Sequence, residues 1–234
     1  MAPHIFFDFF GTLVSYSSSR REQGYEVSHQ TLLEAGAPQS YEEFLDLWCE
    51  VSDEFELKFA ATHQEFSMTQ VGSAFLQRAL GTRPPAQLTE RFVDAYLSEW
   101  NKGVHYLPGL RELLVRLSSR YDLAVITNTS DSQLIHAHLR QLGIDDLFEA
   151  VVTSVEFGFR KPHSGIFQHA MDLVGAVADH SFYVGDTFEA DYVGSASVGM
   201  RGFLIDPDCR HDVHASARLG NLFDLESKLR ALEI

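Results

Sequence analysis

An α/β domain on a parallel sheet, with a bundle of helices inserted after its first strand, is the fold class that the sequence predicts. Three observations point to it. Residues 5–10 form a continuous β-prone run, apolar but for Asp8, that reads as a buried strand closed by Gly11. Residues 20–100 carry helical periodicity alone. After Pro108-Gly109, short apolar strands alternate with helices, the pattern of right-handed crossovers over a parallel sheet covered on both faces.

Within the helical block, a helix before Gly36 comes first. Ser40-Tyr41-Glu42-Glu43 is a capping box. It opens a run with Phe44, Leu47, Trp48, Val51 and Phe55 at helical spacing. Val71, Ala74, Phe75 and Ala79 mark a third helix, and Leu88, Phe92, Ala95 and Tyr96 a fourth, with 81–85 as the loop between them. Trp48, Phe55 and Phe59 are expected in the core of this bundle. In the alternating region, helices are expected over 110–117, 132–142, 166–174 and 190–198, and strands over 123–126, 150–153, 182–184 and 203–205. The expected domains are residues 1–15 with 104–234 as the α/β core and 16–103 as the helical insert. Residues 15–19 are polar and expected to be mobile.

The composition is that of a globular protein, with 45% hydrophobic and 22% charged residues in 234. The net charge of −15 argues against a nucleic-acid partner, because phosphate backbones attract lysine and arginine patches. An anionic substrate must therefore be drawn in by a local positive site. Cys49 and Cys209 lack metal-ligand spacing and read as free thiols of a reducing compartment. With no signal-peptide pattern and no apolar run of membrane length, a cytoplasmic protein without a membrane partner is expected. The histidines follow no metal spacing. His163 is expected to cap a helix or face solvent, and His29, His63, His105, His136, His138 and His169 to be ordinary surface. Arg20 and Arg21 are in reach of an anion after the first hinge, although a solvated helix start is the simpler reading.

Ligands bind at the carboxyl ends of strands in such sheets. The residues just past the expected strands are Asp8 with Gly11-Thr12, Thr127-Asn128 with Thr129-Ser130, Gly158-Phe159-Arg160-Lys161-Pro162, and Gly185-Asp186 with Asp191. An ionised carboxylate can attack as a nucleophile and form a covalent intermediate. A divalent cation held by Asp8 and Asp186 would screen it from an anionic substrate, and oxygen-only ligands favour Mg²⁺. Lys161 and the Thr127 hydroxyl would hold phosphoryl oxygens, aided by backbone N–H groups at a helix start.

These segments resemble, in order, the four motifs of the haloacid dehalogenase superfamily. Asp8-Phe9-Phe10-Gly11-Thr12 is similar to the first, Ile126-Thr127-Asn128 to the second, Arg160-Lys161-Pro162 to the third and Gly185-Asp186-Thr187-Phe188-Glu189-Ala190-Asp191 to the fourth. The insert is similar to the helical cap of the superfamily's first subfamily. The resemblance implies a Rossmann-like core and a hydrolase with Asp8 as nucleophile and Mg²⁺ ligand. It also implies a second ligand in the backbone carbonyl of Phe10, a third in Asp186, and Asp191 behind them, supporting the metal's water shell or orienting Lys161. Thr12, Thr127, Asn128 and Lys161 would bind substrate, with Thr127 and Lys161 also serving catalysis.

Phe10 departs from the pattern. Most phosphatases of the superfamily carry there a second aspartate, which protonates the leaving group. Such assistance is typically worth ~10²–10⁴-fold. The leading expectation is a Mg²⁺-dependent phosphatase that forms an aspartyl-phosphate on Asp8 and acts on a small phosphorylated metabolite, as a monomer or homodimer. A 2-haloacid dehalogenase is the alternative: halide leaves without a proton and those enzymes carry an aromatic residue here, but they work without metal and lack Gly-Asp in the fourth motif. A phosphonate hydrolase with Lys58 as Schiff-base lysine, its pKa lowered by burial among Phe55, Leu57 and Phe59, and a non-catalytic binding protein complete the readings.

Overall fold

The computed structural model describes residues 2–17 and 23–232. Arg20, Arg21 and the end of the polar stretch at 15–19 lie outside the described residues. The chain forms two compact units, Met1–Ser15 with Tyr106–Ile234, and Tyr16–His105.

The second unit holds helices α1 (Glu26–Glu34), α2 (Tyr41–Phe59), α3 (Met68–Leu80) and α4 (Ala86–Trp100). The Ser40 capping box is formed as the sequence predicts: Ser40 accepts from the Glu43 N–H and Glu43 from that of Ser40. Trp48, Phe44, Phe75 and Phe92 are buried in one aromatic core, with Phe55 and Phe59 packed on its edge. The start of α1 has no side-chain cap of its own. Instead Glu99 of α4, only 2% exposed, accepts from the N–H groups of Val27 and Ser28 and from the Ser28 hydroxyl. A carboxylate is well placed there, because orphan amides and the positive end of the helix dipole meet at a helix N-terminus.

The first unit contains a six-stranded parallel sheet of β1 (His4–Phe7), β4 (Asp122–Thr127), β5 (Ala150–Thr153), β6 (Ser181–Gly185), β7 (Arg201–Ile205) and β8 (Arg218–Leu219), in the order β5-β4-β1-β6-β7-β8. All four residues of β1 are buried, as expected for a central strand covered on both faces. The chain runs outward from β1 to β4 and β5, then returns to the other side of β1 with β6. That reversal creates a topological switch point at the carboxyl end of β1, the standard place for a ligand in an open α/β sheet. The intervening helices are α5 (Leu110–Ser118), α6 (Ser132–Leu142), α7 (Ser154–Phe157), α8 (Ser164–Val174) and α9 (Gly194–Ser197), with α10 (Leu225–Leu232) at the end.

Two expectations are corrected. The first strand stops at Phe7, because the Phe9 carbonyl accepts from the Leu13 and Val14 N–H groups and folds 8–14 into a tight turn through Gly11 at φ +83°. The helix expected over 190–198 is a π-helical turn at Phe188–Val193 followed by the short α9. The ribbon of β2 (Val14–Tyr16) and β3 (Val104–Tyr106) had no alternating pattern to announce it.

Candidate active site

Three strand ends bring the chemistry together. Asp8 follows β1, its N–H donating to the Val184 carbonyl of β6 at 2.9 Å. Thr127 ends β4, and Asp186 follows β6. Lys161 arrives on the loop after α7 and is 3% exposed. Its ammonium group donates to Asp8 Oδ1 (2.8 Å), Asp191 Oδ1 (2.6 Å) and the Tyr183 hydroxyl (2.7 Å). All three of its protons thus have acceptors. Asn128 clamps the lysine backbone from both sides: its side-chain amide donates to the Lys161 carbonyl (3.0 Å) and its oxygen accepts from the Lys161 N–H (2.7 Å). With both amide atoms so engaged, Asn128 positions the lysine.

The π-helical turn has a job here. Its wider coil carries the buried Asp191 back beneath Gly185, with one oxygen accepting from the Thr187 N–H (2.9 Å) and the other from Lys161. A Cβ on Gly185 would lie 2.3 Å from the Asp191 carboxyl carbon, so only glycine fits. Gly11 does the same for Asp186: a Cβ there would stand 2.1 Å from its Oδ2.

Asp8, Asp186 and Asp191 present one oxygen each, all within 4.8 Å of one another. Against three carboxylates stands one lysine, which reaches Asp8 and Asp191 but not Asp186. Burial, with Asp191 and Asp186 nearby, pushes the Asp8 carboxyl up to about 7 despite Lys161. Burial and Asp191 push Asp186 up to about 6. Lys161 is raised: burial opposes its charge, but Asp191 and Asp8 outweigh it. Such a cluster has the oxygen donors and the surplus negative charge that a hard divalent cation takes. Beside it, the hydroxyls of Thr12 and Thr127, each in a residue 1% exposed, have no hydrogen-bond partner among the described residues. Buried orphan hydroxyls are uncommon and fit ligand oxygens.

Three amides at the expected helix start already have acceptors. The first amides of α6 are occupied by Asp131, which accepts from the Gln133 and Leu134 N–H groups, and the Thr129 N–H donates to the Ser154 hydroxyl. This helix start therefore does not offer those amides to an anion. Tyr183, missed in the sequence, bridges Lys161, Asp191 (3.1 Å) and the Ile126 carbonyl (2.9 Å). Its signal was a phenol inside an otherwise apolar central strand, since a buried hydroxyl needs a partner.

Phe10 is half-buried, its ring edge-on to Phe9 at 5.0 Å and to His138 at 6.3 Å. His138, expected at the surface, is instead 3% exposed and accepts or donates through Nδ1 to the Tyr106 hydroxyl at 2.9 Å. Burial lowers its pKa. His163 caps α8, as expected, by accepting from the Gly165 N–H. Lys58 is exposed on α2 with its ammonium group over the Phe59 ring, which removes the burial argued for a Schiff-base lysine.

Among the described residues no helix is long and apolar enough to cross a membrane. The profile described as Haloacid dehalogenase-like hydrolase matches residues 5–205. The chain is 30% identical over 227 residues to the Ribulose-1,5-bisphosphate 5-phosphatase of Halopiger xanaduensis, covering 93% of this chain and 90% of that one. It is 29% identical over 198 residues to the Glyceraldehyde 3-phosphate phosphatase of Pyrococcus abyssi, covering 84% and 78%. A 2-haloacid dehalogenase structure from Pseudomonas syringae pv. Tomato superposes with a TM-score of 0.71 at 22% identity, covering 99% and 100%, and shows the common fold. The four motif segments lie within the matched span, and the chain belongs to the haloacid dehalogenase-like hydrolase family.

Proposed function

We propose that this hydrolase is a Mg²⁺-dependent phosphatase of small phosphorylated sugars, working through an aspartyl-phosphate on Asp8. The observation that carries the reading is the carboxylate cluster of Asp8, Asp186 and Asp191 around a single lysine, beside two buried hydroxyls without partners. Asp8 and Asp186, with the Phe10 carbonyl, would hold Mg²⁺. The ion would supply charge neutralisation and Lewis acidity at the phosphoryl group. Asp8 attacks phosphorus as the bond from phosphorus to the sugar oxygen breaks, that oxygen takes a proton from solvent water, and a second water then attacks the phosphorus and releases phosphate, restoring the Asp8 carboxylate. The Thr12 and Thr127 hydroxyls hold phosphoryl oxygens, and Lys161 joins them by turning from Asp8 to the phosphoryl group the proton it now gives Asp8. Asp191, Tyr183 and Asn128 keep Lys161 in place. The phosphatase names of the two sequence relatives support the substrate class. The helical unit is proposed to act as the cap that selects the substrate.

Dehalogenation is the second reading, favoured by Phe10. Against it, Asp186 and Asp191 would repel a carboxylate substrate unless a cation is bound. The test is hydrolysis of p-nitrophenyl phosphate, whose leaving group needs little protonation. Mg²⁺-dependent turnover lost in Asp8→Asn supports the proposal. No turnover above that variant, with halide released from 2-haloacids in the absence of metal, would replace it with the second reading.

A further inference from the structure

We propose that His4, Asp122 and Glu149 form a second cation site, for a first-row divalent transition metal, at the opposite end of the sheet from Asp8. His4 opens β1 and stands in register with Asp122, which opens β4. Glu149 directly precedes β5, and its N–H donates to the Leu123 carbonyl at 2.8 Å, which extends the ladder and fixes its place. The three residues thus meet at the amino ends of adjacent strands. Asp8 lies at the carboxyl end of β1, roughly 13 Å away at the usual rise per strand residue.

The geometry is that of a ligand set. His4 Nε2 lies 3.5 Å from Glu149 Oε2 and 3.9 Å from Asp122 Oδ2, and the three donor atoms fall within 4.8 Å of one another. Two ligands ~2.1 Å from one zinc ion sit roughly 3.0–3.5 Å apart, so small rotations of the two carboxylates close the site. Both carboxylates are about half exposed and free to make them.

The histidine supplies an independent observation. It is 5% exposed, its ring stacks on Phe6 with centroids 6.0 Å apart, and its Nε2 is buried without a hydrogen-bond partner. A nitrogen in that position is costly to bury unless something pairs with it. A proton on Nε2 would make an ion pair with the carboxylates, yet at these positions it donates no hydrogen bond to either. Among the described residues Asp122 and Glu149 have no other ionic partner. One cation satisfies all three groups at once. An imidazole in the set selects zinc-like ions over Mg²⁺, and the remaining positions would be filled by water. Such an ion would tie three strand starts together without touching the carboxyl-end chemistry.

The test is a Zn²⁺ titration of tag-free, ¹⁵N-histidine-labelled protein, carried out on the parent, on Asp186→Asn and on Glu149→Gln. The His4 resonance is assigned with His4→Gln. The proposal expects the His4 Nε2 signal to saturate at one equivalent in the parent and in Asp186→Asn. It expects at least tenfold weaker binding in Glu149→Gln, an exposed and conservative change, with Mg²⁺-supported turnover of that variant unaltered. A His4 signal that follows pH but not Zn²⁺ would overturn it in favour of a proton shared with the carboxylates. Unchanged affinity in Glu149→Gln, or a response lost in Asp186→Asn, would equally overturn it.

Discussion

For single residues, the proposed chemistry turns on Phe10 and Asp186. Phe10 cannot protonate a leaving group, so turnover should depend steeply on leaving-group acidity. Phe10→Asp is expected to raise turnover of an alkyl phosphate by at least tenfold, within the ~10²–10⁴-fold worth of a general acid, and to raise that of p-nitrophenyl phosphate much less. Parallel steady-state rates on the two substrates check this, and an equal gain on both would contradict it. Asp186 is held at about 6 in the metal-free site, above its ordinary value of 3.8. The folded state therefore binds the proton more tightly than the unfolded chain, and metal-free stability falls as pH rises from about 4 to 6. Asp8, at about 7, acts in the same direction. Asp186→Asn is expected to raise the metal-free Tm above pH 7 by a few degrees and to have little effect near pH 4, while removing the rise in Tm with Mg²⁺. Thermal melts across pH, with and without Mg²⁺, check both signs. Asp8 and Asp186 were legible in the sequence because each stands at a strand end by a glycine, Lys161 because it precedes a proline, and Asp191 through the motif it shares with Asp186. Tyr183 and His4 were not, because neither stands beside a turn or breaker and only the fold brings their partners to them.

Elements set where those residues stand. The π-helical turn at Phe188–Val193 shows the limit of periodicity: its apolar spacing resembles an α-helix, and only the close approach of Gly185 to Asp191 calls for the wider coil. Helices α2, α3, α4 and α6 were readable, since each combines a clear period with a cap or a breaker, and β5 as a short apolar run between two helical patterns. The β2–β3 ribbon and the short α7 were too brief to show a period. In the helical unit, α1 depends on a cap from another helix. Glu99→Ala leaves the Val27 and Ser28 N–H groups and the Ser28 hydroxyl without their acceptor. It is expected to cost about 1–3 kcal/mol, visible as a Tm lower by several degrees or as an early separate transition. An unchanged melt would show that another group caps α1.

Across the whole molecule, the net charge of −15 has to be reconciled with an anionic substrate. On the proposed reading the reconciliation is local: one buried lysine, joined by the proposed divalent cation, would be set against three carboxylates. Because Asp8 and Asp186 must lose protons to take the ion, Mg²⁺ affinity is expected to rise with pH between about 5 and 8. Calorimetric titrations in buffers of different ionisation enthalpy should detect protons released on binding at pH 6. In the proposed reaction Asp8 carries the phosphoryl group. This is tested most directly by acid-quenching the Mg²⁺-loaded protein during turnover of p-nitrophenyl phosphate and mapping the modified peptide by mass spectrometry. The expected result is one phosphoryl group on the peptide containing Asp8, absent without Mg²⁺ and absent in Asp8→Asn. Turnover that continues in Asp8→Asn, with no phosphoryl group on that peptide in the parent, would contradict it.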